Sequence, residues 1–323
     1  MMPSGLVSDL LGSFGPQWEL SADKDGRFRL EHRQRGTPFH PPTRPTPWNV
    51  LLCRIEASFH SYGVARARPL PLRWGRDTEL TISAVQALDP LLKDRQPYVF
   101  RRGYLPQPVV RLTGARDTSG NLREGFLTSF VNVSRVEPVA RQDEFGEILD
   151  HWLSLLSSIG LHARHLAIHG RSTVWTRREV QGITLHFRHI DLPIGDIVLL
   201  WNAIDPSCMA VDLGSGLERL AWARTRQSWP HLVFGSFASI CPSKTLDAIR
   251  TATLMVGSGI HPASRGAGGV LRRLLTEVSP MDAPLGVSAL VRESHGFWSS
   301  VSAMQVPWPE VTQTIERELA RRS

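Results

Sequence analysis

Apolar residues recur at helical spacing in two early stretches of the chain. In 48–62 they fall at Val50, Leu51, Ile55 and Phe59. In 143–160 they form one stripe of Phe145, Ile148, Leu149, Trp152, Leu155, Leu156 and Ile159, which Gly160 then stops. A helix is also expected over 83–92. Strand-like runs lie between and after these: Trp18–Leu20, Phe28–Leu30, 64–72, 107–114, 126–136, 165–170, 182–190 and 196–204. A polar loop, 115–125, joins the fourth and fifth of these through Gly120 and Asn121. Five prolines between 36 and 47 cannot continue a helix or a central strand, so that stretch reads as a linker or extended arm. A helix is expected to open within 214–225, and helices fill the remainder at 245–256, 269–278 and 309–321. Strands thus dominate the middle and helices the end. The fold class is α+β with a largely antiparallel sheet followed by a short helical domain. The segments are an extension and proline-rich linker over 1–47, a main domain over 48–240 and a helical domain over 241–323.

Composition changes this picture little. At 323 residues, 41% hydrophobic and 21% charged, the chain can bury a sizeable core. No apolar run reaches membrane-spanning length, and the N-terminus lacks the pattern of a secretory signal. No membrane association is expected. Cys53, Cys208 and Cys241 are odd in number and far apart, which suits a reducing cytoplasm rather than a disulfide framework. The formal charge of +7 favours polyanions. Lysine occurs only at Lys24, Lys93 and Lys244, so 34 of the 37 basic residues are arginine. Arginine suits forked recognition of phosphate, although a GC-rich coding bias is the simpler cause of the skew.

Several chemistries have no motif here. There is no GxxxxGK[ST] phosphate loop, HExxH, CxxC pair or GxSxG elbow. His162, His165 and His169 cluster, and they read as ordinary surface histidines rather than metal ligands.

The informative string is VDLGSGLERLAW, residues 211–222. Gly214 and Gly216 permit unusual dihedrals and let a ligand lie flat on the backbone, and a helix then opens with Glu218 and Arg219. An arginine fixed there can meet a polyphosphate with paired hydrogen bonds. Alone, this pattern describes a glycine turn capping a helix. In context it resembles the third signature motif of class II aminoacyl-tRNA synthetases, and most closely the alanyl type, V-D-T-G-M-G-L-E-R-L. The resemblance gives Arg219 the ATP γ-phosphate and Asp212 the amino group of the amino acid. It places Gly214 and Gly216 along the amino-acid and adenine pockets. LLWN, residues 199–202, is similar to the family's E-I-W-N and points to Asn202 as a second amino-acid contact.

Residues 109–133 are similar to the family's second motif, a strand with an arginine, a loop and a strand with an aromatic. Arg111 matches the arginine at the α-phosphate, and Phe130 the phenylalanine at the adenine. The family's H-H-T-F-F-E reads L-T-S-F-V-N here, with Asn132 in place of the glutamate. Arg116 or Arg123 is the candidate replacement for the missing histidines. The first motif, with Pro69 or Pro71 at a dimer-edge strand, matches more weakly. A last match spans 247–278, where Asp247, Arg250, Gly259, Pro262, Gly266, Gly268, Val270, Leu271, Arg272 and Arg273 fall in register with an element found in alanyl enzymes. There the family holds the tRNA acceptor stem, which makes Arg265, Arg272 and Arg273 candidate RNA contacts.

The resemblance implies a class II synthetase-type antiparallel sheet and an AMP-forming, aminoacyl-tRNA ligase-like enzyme. It would use ATP and Mg2+ to activate a small amino acid and pass it to tRNA, with Arg111 and Arg219 as catalytic residues and a homodimer as a candidate assembly. The alternatives are a carrier-protein or small-molecule acceptor for the same adenylate, and a non-catalytic paralogue that binds or regulates.

Overall fold

A computed structural model describes residues 14–74, 77–112, 115–118 and 122–321. Gly120 and Asn121, expected in the turn of 115–125, lie outside them. Among the described residues the fold is α+β, with a nine-stranded antiparallel sheet and nine helices. The strands are β1 (Trp18–Ala22), β2 (Arg27–His32), β3 (Gly103–Val110), β4 (Ser129–Pro138), β5 (Leu166–Arg171), β6 (Trp175–Arg177), β7 (Val180–His189), β8 (Leu192–Asn202) and β9 (Met209–Gly216). Their order is β1-β2-β5-β7-β8-β9-β4-β3, with β6 also paired to β7.

The helices are α1 (Trp48–Ser61), α2 (Asp89–Asp94), α3 (Glu144–Ser158), α4 (Leu217–Thr225), α5 (Trp229–Phe234), α6 (Ser243–Gly257), α7 (Gly266–Leu275), α8 (Val287–Val301) and α9 (Trp308–Ala320). The chain forms two compact units that interleave along the sequence. One holds residues up to 68, 84–105 and 133–226; the other holds 69–83, 106–132 and 227–323. β3 and β4 each contribute residues to both.

In the first unit the alternation of β7 and β8 decides which way the sheet faces. Ile183, Leu185 and Phe187 are buried, as are Leu199 and Ile197, the partners of the first two, and Ile194 near the start of β8. The stripe of α3 covers that face: Trp152 meets Phe187 ring to ring at 6.4 Å, and all seven expected positions are at most 3% exposed. Each such side chain contributes roughly 1.5–3 kcal/mol by leaving water. Thr184 and His186 alternate to the opposite, open face. β1 and β2 extend the sheet through β5, so Trp18 and Phe28 sit in paired strands.

In the second unit α6 is buried from Thr245 to Gly257 and packs with α7, α8 and α9. Two expectations fail here and in the first unit. The strand expected over 64–72 is absent, because Pro69 and Pro71 lack the N–H that a ladder needs; only an isolated parallel bridge, Arg66 to Tyr104, remains. The helix α8 was not legible, since Ser, His and Gly296 dilute its apolar stripe. Its fully buried Trp298 donates its indole N–H to the Arg250 carbonyl at 3.1 Å.

Candidate active site on the open face of the sheet

The β8–β9 hairpin sets the register of the open face in the first unit. Asp212 pairs with Val198, and Val198 with Thr184 of β7. One residue pair further, Gly214 faces Asp196, Asp196 faces His186, and His186 faces His169 of β5. Directly paired residues share a face, so these two rows lie side by side. Asp212 is 9% exposed, and the Ser134 hydroxyl of β4 lies 3.1 Å from its Oδ1 and 2.7 Å from the Leu213 carbonyl. The Trp175 indole donates to Thr184 Oγ1 at 2.9 Å. Gly182 makes this possible, because a Cβ there would meet the Trp175 ring at 2.7 Å.

β9 runs straight into α4 at Gly216, and Arg219 sits in the first turn of that helix. Its side chain lines an open cavity of about 480 Å3 together with His169, His186, Arg188, Gly195 and Asp196. His186 Nδ1 is 3.8 Å from Asp196 Oδ2. Burial, reinforced by the guanidiniums of Arg29 and Arg188, pushes the His169 imidazole below its ordinary range. The wall thus presents the guanidiniums of Arg188 and Arg219, two imidazoles and one carboxylate. Magnesium is usually held by one or two carboxylates and the phosphates themselves, and Asp196 fits that demand. Among the described residues no group of three or more His, Cys, Asp or Glu side chains is arranged to hold a metal.

The two motif glycines act differently from the expectation. Neither has a positive φ; Gly216 caps α4 at φ −80°, ψ 127°, an extended conformation open to any residue. A Cβ on Gly216 would lie 3.7 Å from the Arg219 side chain. Backbone freedom is needed instead at Gly195, with φ +149°, where a Cβ would lie 2.3 Å from the Gly214 carbonyl.

Asn202 is not brought to Asp212. It ends β8, four residues beyond Val198, roughly 13 Å along the strand. Its amide donates to the Leu92 carbonyl at 2.7 Å, and its Oδ1 accepts from the N–H groups of Ile204 and Asp205 at 2.9 and 3.0 Å. Those bonds build the hairpin turn and fix α2 beside it.

In the second unit Arg111 and Phe130 do come together. The Arg111 guanidinium is 5.2 Å from the centre of the Phe130 ring, and its Nε and Nη2 donate to the Ile82 carbonyl at 3.0 and 2.6 Å. Asn132 accepts from the Ser83 hydroxyl at 3.3 Å. Arg116 donates from Nη2 to both carboxylate oxygens of Glu277, at 2.9 and 3.0 Å, so it serves α7's far end. Asp247, buried and pushed up to about 6 by that burial, accepts from the Thr128 amide at 2.9 Å. Arg250 lies 4.0 Å from the Phe297 ring centre and 4.7 Å from that of Trp298. Both are structural in this arrangement. Gly259 and Gly266 need positive φ, at +82° and +61°, and a Cβ on Gly268 would strike the His261 carbonyl at 2.5 Å. Of the candidate RNA contacts, Arg265 and Arg273 are exposed, while Arg272 lies 3.0 Å from Glu318.

The histidine cluster divides. His165 is only 8% exposed, not a surface residue: its Nε2 is 3.1 Å from the Thr37 carbonyl, and its ring packs against Phe39 and His189. His169 enters the basic cavity instead.

No protein-family model matches the sequence, and no curated protein shows significant similarity to it. Among the described residues no helix is long and apolar enough to cross a membrane.

His169, His186, Arg188, Asp196 and Ser134 were missed as site residues. A signal for three of them existed. The alternation in 182–190 and 196–204 puts His186, Arg188 and Asp196 out of step with the buried residues of their strands.

Proposed function

We propose that this chain is a class II synthetase-type ligase that activates an amino acid with ATP and passes the aminoacyl group to the 3′ end of tRNA in the cytoplasm. The observation that carries the reading is the strand-to-helix junction. Asp212 sits on the open face of an antiparallel strand, and Arg219 follows in the first turn of the next helix, inside a basic cavity. The amino group of the substrate lies against Asp212. Its carboxylate attacks the α-phosphorus of ATP, forming the aminoacyl-adenylate and releasing pyrophosphate. Arg219 holds the γ-phosphate; the resemblance assigns the α-phosphate to Arg111, which Phe130 and the Ile82 carbonyl steady within the second unit. Asp196 would hold Mg2+, which neutralises charge on the phosphates. Catalysis is by positioning and electrostatics, with no protein nucleophile. Asn202 has no part in it, because its amide is spent on the hairpin turn.

A second acceptor is supported by one observation. Arg272 is engaged by Glu318, which thins the basic surface offered to RNA and favours a carrier-protein thiol or a small amine. Comparing charged tRNA with small acylated products by mass spectrometry separates the two. The activation step itself is tested by amino-acid-dependent pyrophosphate exchange. Arg219→Ala should abolish it, and normal exchange in that variant would refute the assigned role.

A further inference from the structure

The strand that carries two histidines in the alanyl pattern carries Leu127 and Thr128 here. Leu127 is buried, and the Thr128 amide binds Asp247. The loop substitute Arg116 is engaged by Glu277. The second motif therefore offers no basic side chain beyond Arg111 and Arg123 for the outer phosphates. The basic groups lie elsewhere, on β5 and β7. His169 and His186 are cross-strand partners on the open face, and Arg188 follows two residues along β7. All three share one cavity wall with Arg219. Arg188 is steadied from behind by a hydrogen bond from its guanidinium to the Asp191 carbonyl. The His186 side chain is 61% exposed, so a ligand can reach it. The cavity, at about 480 Å3, lies within the roughly 300–1,000 Å3 usual for small-molecule sites.

We propose that His169, His186 and Arg188 complete, with Arg219, a clamp for the pyrophosphate end of the nucleotide. The ligand class is a linear polyphosphate anion. This rests on the activation reading for the identity of the whole ligand, but the clamp has its own physical signature. Three or four donors that converge on phosphate oxygens should recognise an inorganic polyphosphate without any nucleoside. Asp196 places a carboxylate on the same wall, so a divalent cation bridging it to the phosphates favours binding. Tripolyphosphate should therefore bind more tightly with Mg2+ than without it.

The test is titration calorimetry of the full chain with inorganic tripolyphosphate, ATP and AMP, each with Mg2+. The double variant His186→Gln, Arg188→Gln is compared with the parent, with thermal melts to check folding. Tripolyphosphate and ATP should each weaken at least about tenfold, the cost of the lost Arg188 guanidinium contact, while AMP stays within about twofold. His186→Lys alone should retain most of the affinity. Unchanged tripolyphosphate binding in the folded double variant, or no such binding by the parent, overturns the clamp. A parent protein that binds tripolyphosphate through these residues but never exchanges pyrophosphate keeps the clamp and removes the activation reading. Unaltered exchange with an unchanged KM for ATP in the double variant does the reverse.

Discussion

The Ser134 hydroxyl lies within hydrogen-bonding distance of both Asp212 Oδ1 and the Leu213 carbonyl, at 3.1 and 2.7 Å. One hydroxyl proton cannot serve both acceptors fully, so Ser134 orients the carboxylate more than it neutralises it. Asp212→Asn, which keeps the shape and removes the charge, should raise KM for the amino acid by about a hundredfold, as a charged contact worth roughly 1.5–3 kcal/mol is lost. Ser134→Ala should cost no more than about tenfold, in line with roughly 0.5–1.5 kcal/mol for a neutral hydrogen bond. Pyrophosphate exchange across an amino-acid titration checks both. A larger effect from Ser134→Ala than from Asp212→Asn would remove Asp212 from the substrate.

Gly216 separates structural from functional demand at the junction. Its backbone is ordinary, and the nearest atoms to a Cβ there would be those of Arg219, at 3.7 Å. Gly216→Ala should therefore leave the melting temperature within about 2 °C and stability within about 0.5 kcal/mol. The added methyl group rests in ordinary contact on the Arg219 stem, so a change in nucleotide affinity in this variant reports on that arginine rather than on folding. Gly195→Ala is the contrast: with φ +149° and backbone at 2.3 Å, it should destabilise by several kcal/mol. Equal melting behaviour of the two variants would contradict this division.

The parts of the fold that were legible are those where a single periodicity ruled. The α3 stripe and the strand β7 present one buried face, and helical spacing or alternation locates them within a few residues. The 64–72 segment failed because alternating apolar and basic residues mimic a strand, and only the missing proline N–H groups reveal otherwise. The site was legible where a motif fixes adjacency along the chain, as with Asp212 and Arg219. It was illegible where partners meet across strands. Asn202 and Asp212 are ten positions apart in sequence, yet the hairpin register puts Asn202 at the end of β8 and Asp212 opposite Val198, four residues away. Ser134 reaches Asp212 from 78 positions away, a separation no local pattern encodes.

His189 makes stability depend on pH. Its side chain is buried; that burial, with the Arg226 guanidinium beside it and His165 nearby, pushes its pKa down to about 3. The unfolded chain titrates this group near its ordinary 6.5, so below that the unfolded state binds the extra proton. The contribution is complete above pH 6.5 and is lost as pH falls toward 3. The slope approaches 1.4 kcal/mol per pH unit, or about 2 kcal/mol between pH 6.5 and 5. His189→Gln, which can still accept from Arg226, should flatten the decline of melting temperature over that interval relative to the parent. Parallel pH profiles for the two proteins would show that His189 does not carry it.

The three candidate RNA arginines should separate by assay. Arg272 lies 3.0 Å from Glu318, whose side chain is only 5% exposed, so Arg272→Ala strips a partner from a buried carboxylate. Arg321, 3.4 Å away on the same carboxylate, compensates in part. The expected cost is about 1–3 kcal/mol of stability, with RNA affinity unchanged at a temperature where the variant is folded. Arg265 and Arg273 are exposed on the first and last parts of the same helical element. Arg265→Ala and Arg273→Ala should leave melting unaltered and weaken tRNA binding. Each should also lower the slope of log affinity against log salt by about one, as expected for one lost phosphate contact. Filter binding at several salt concentrations measures this directly. If Arg272→Ala reduces the salt slope and the other two do not, the RNA face lies on the α9 side of α7, and the acceptor-stem assignment of Arg265 and Arg273 is wrong.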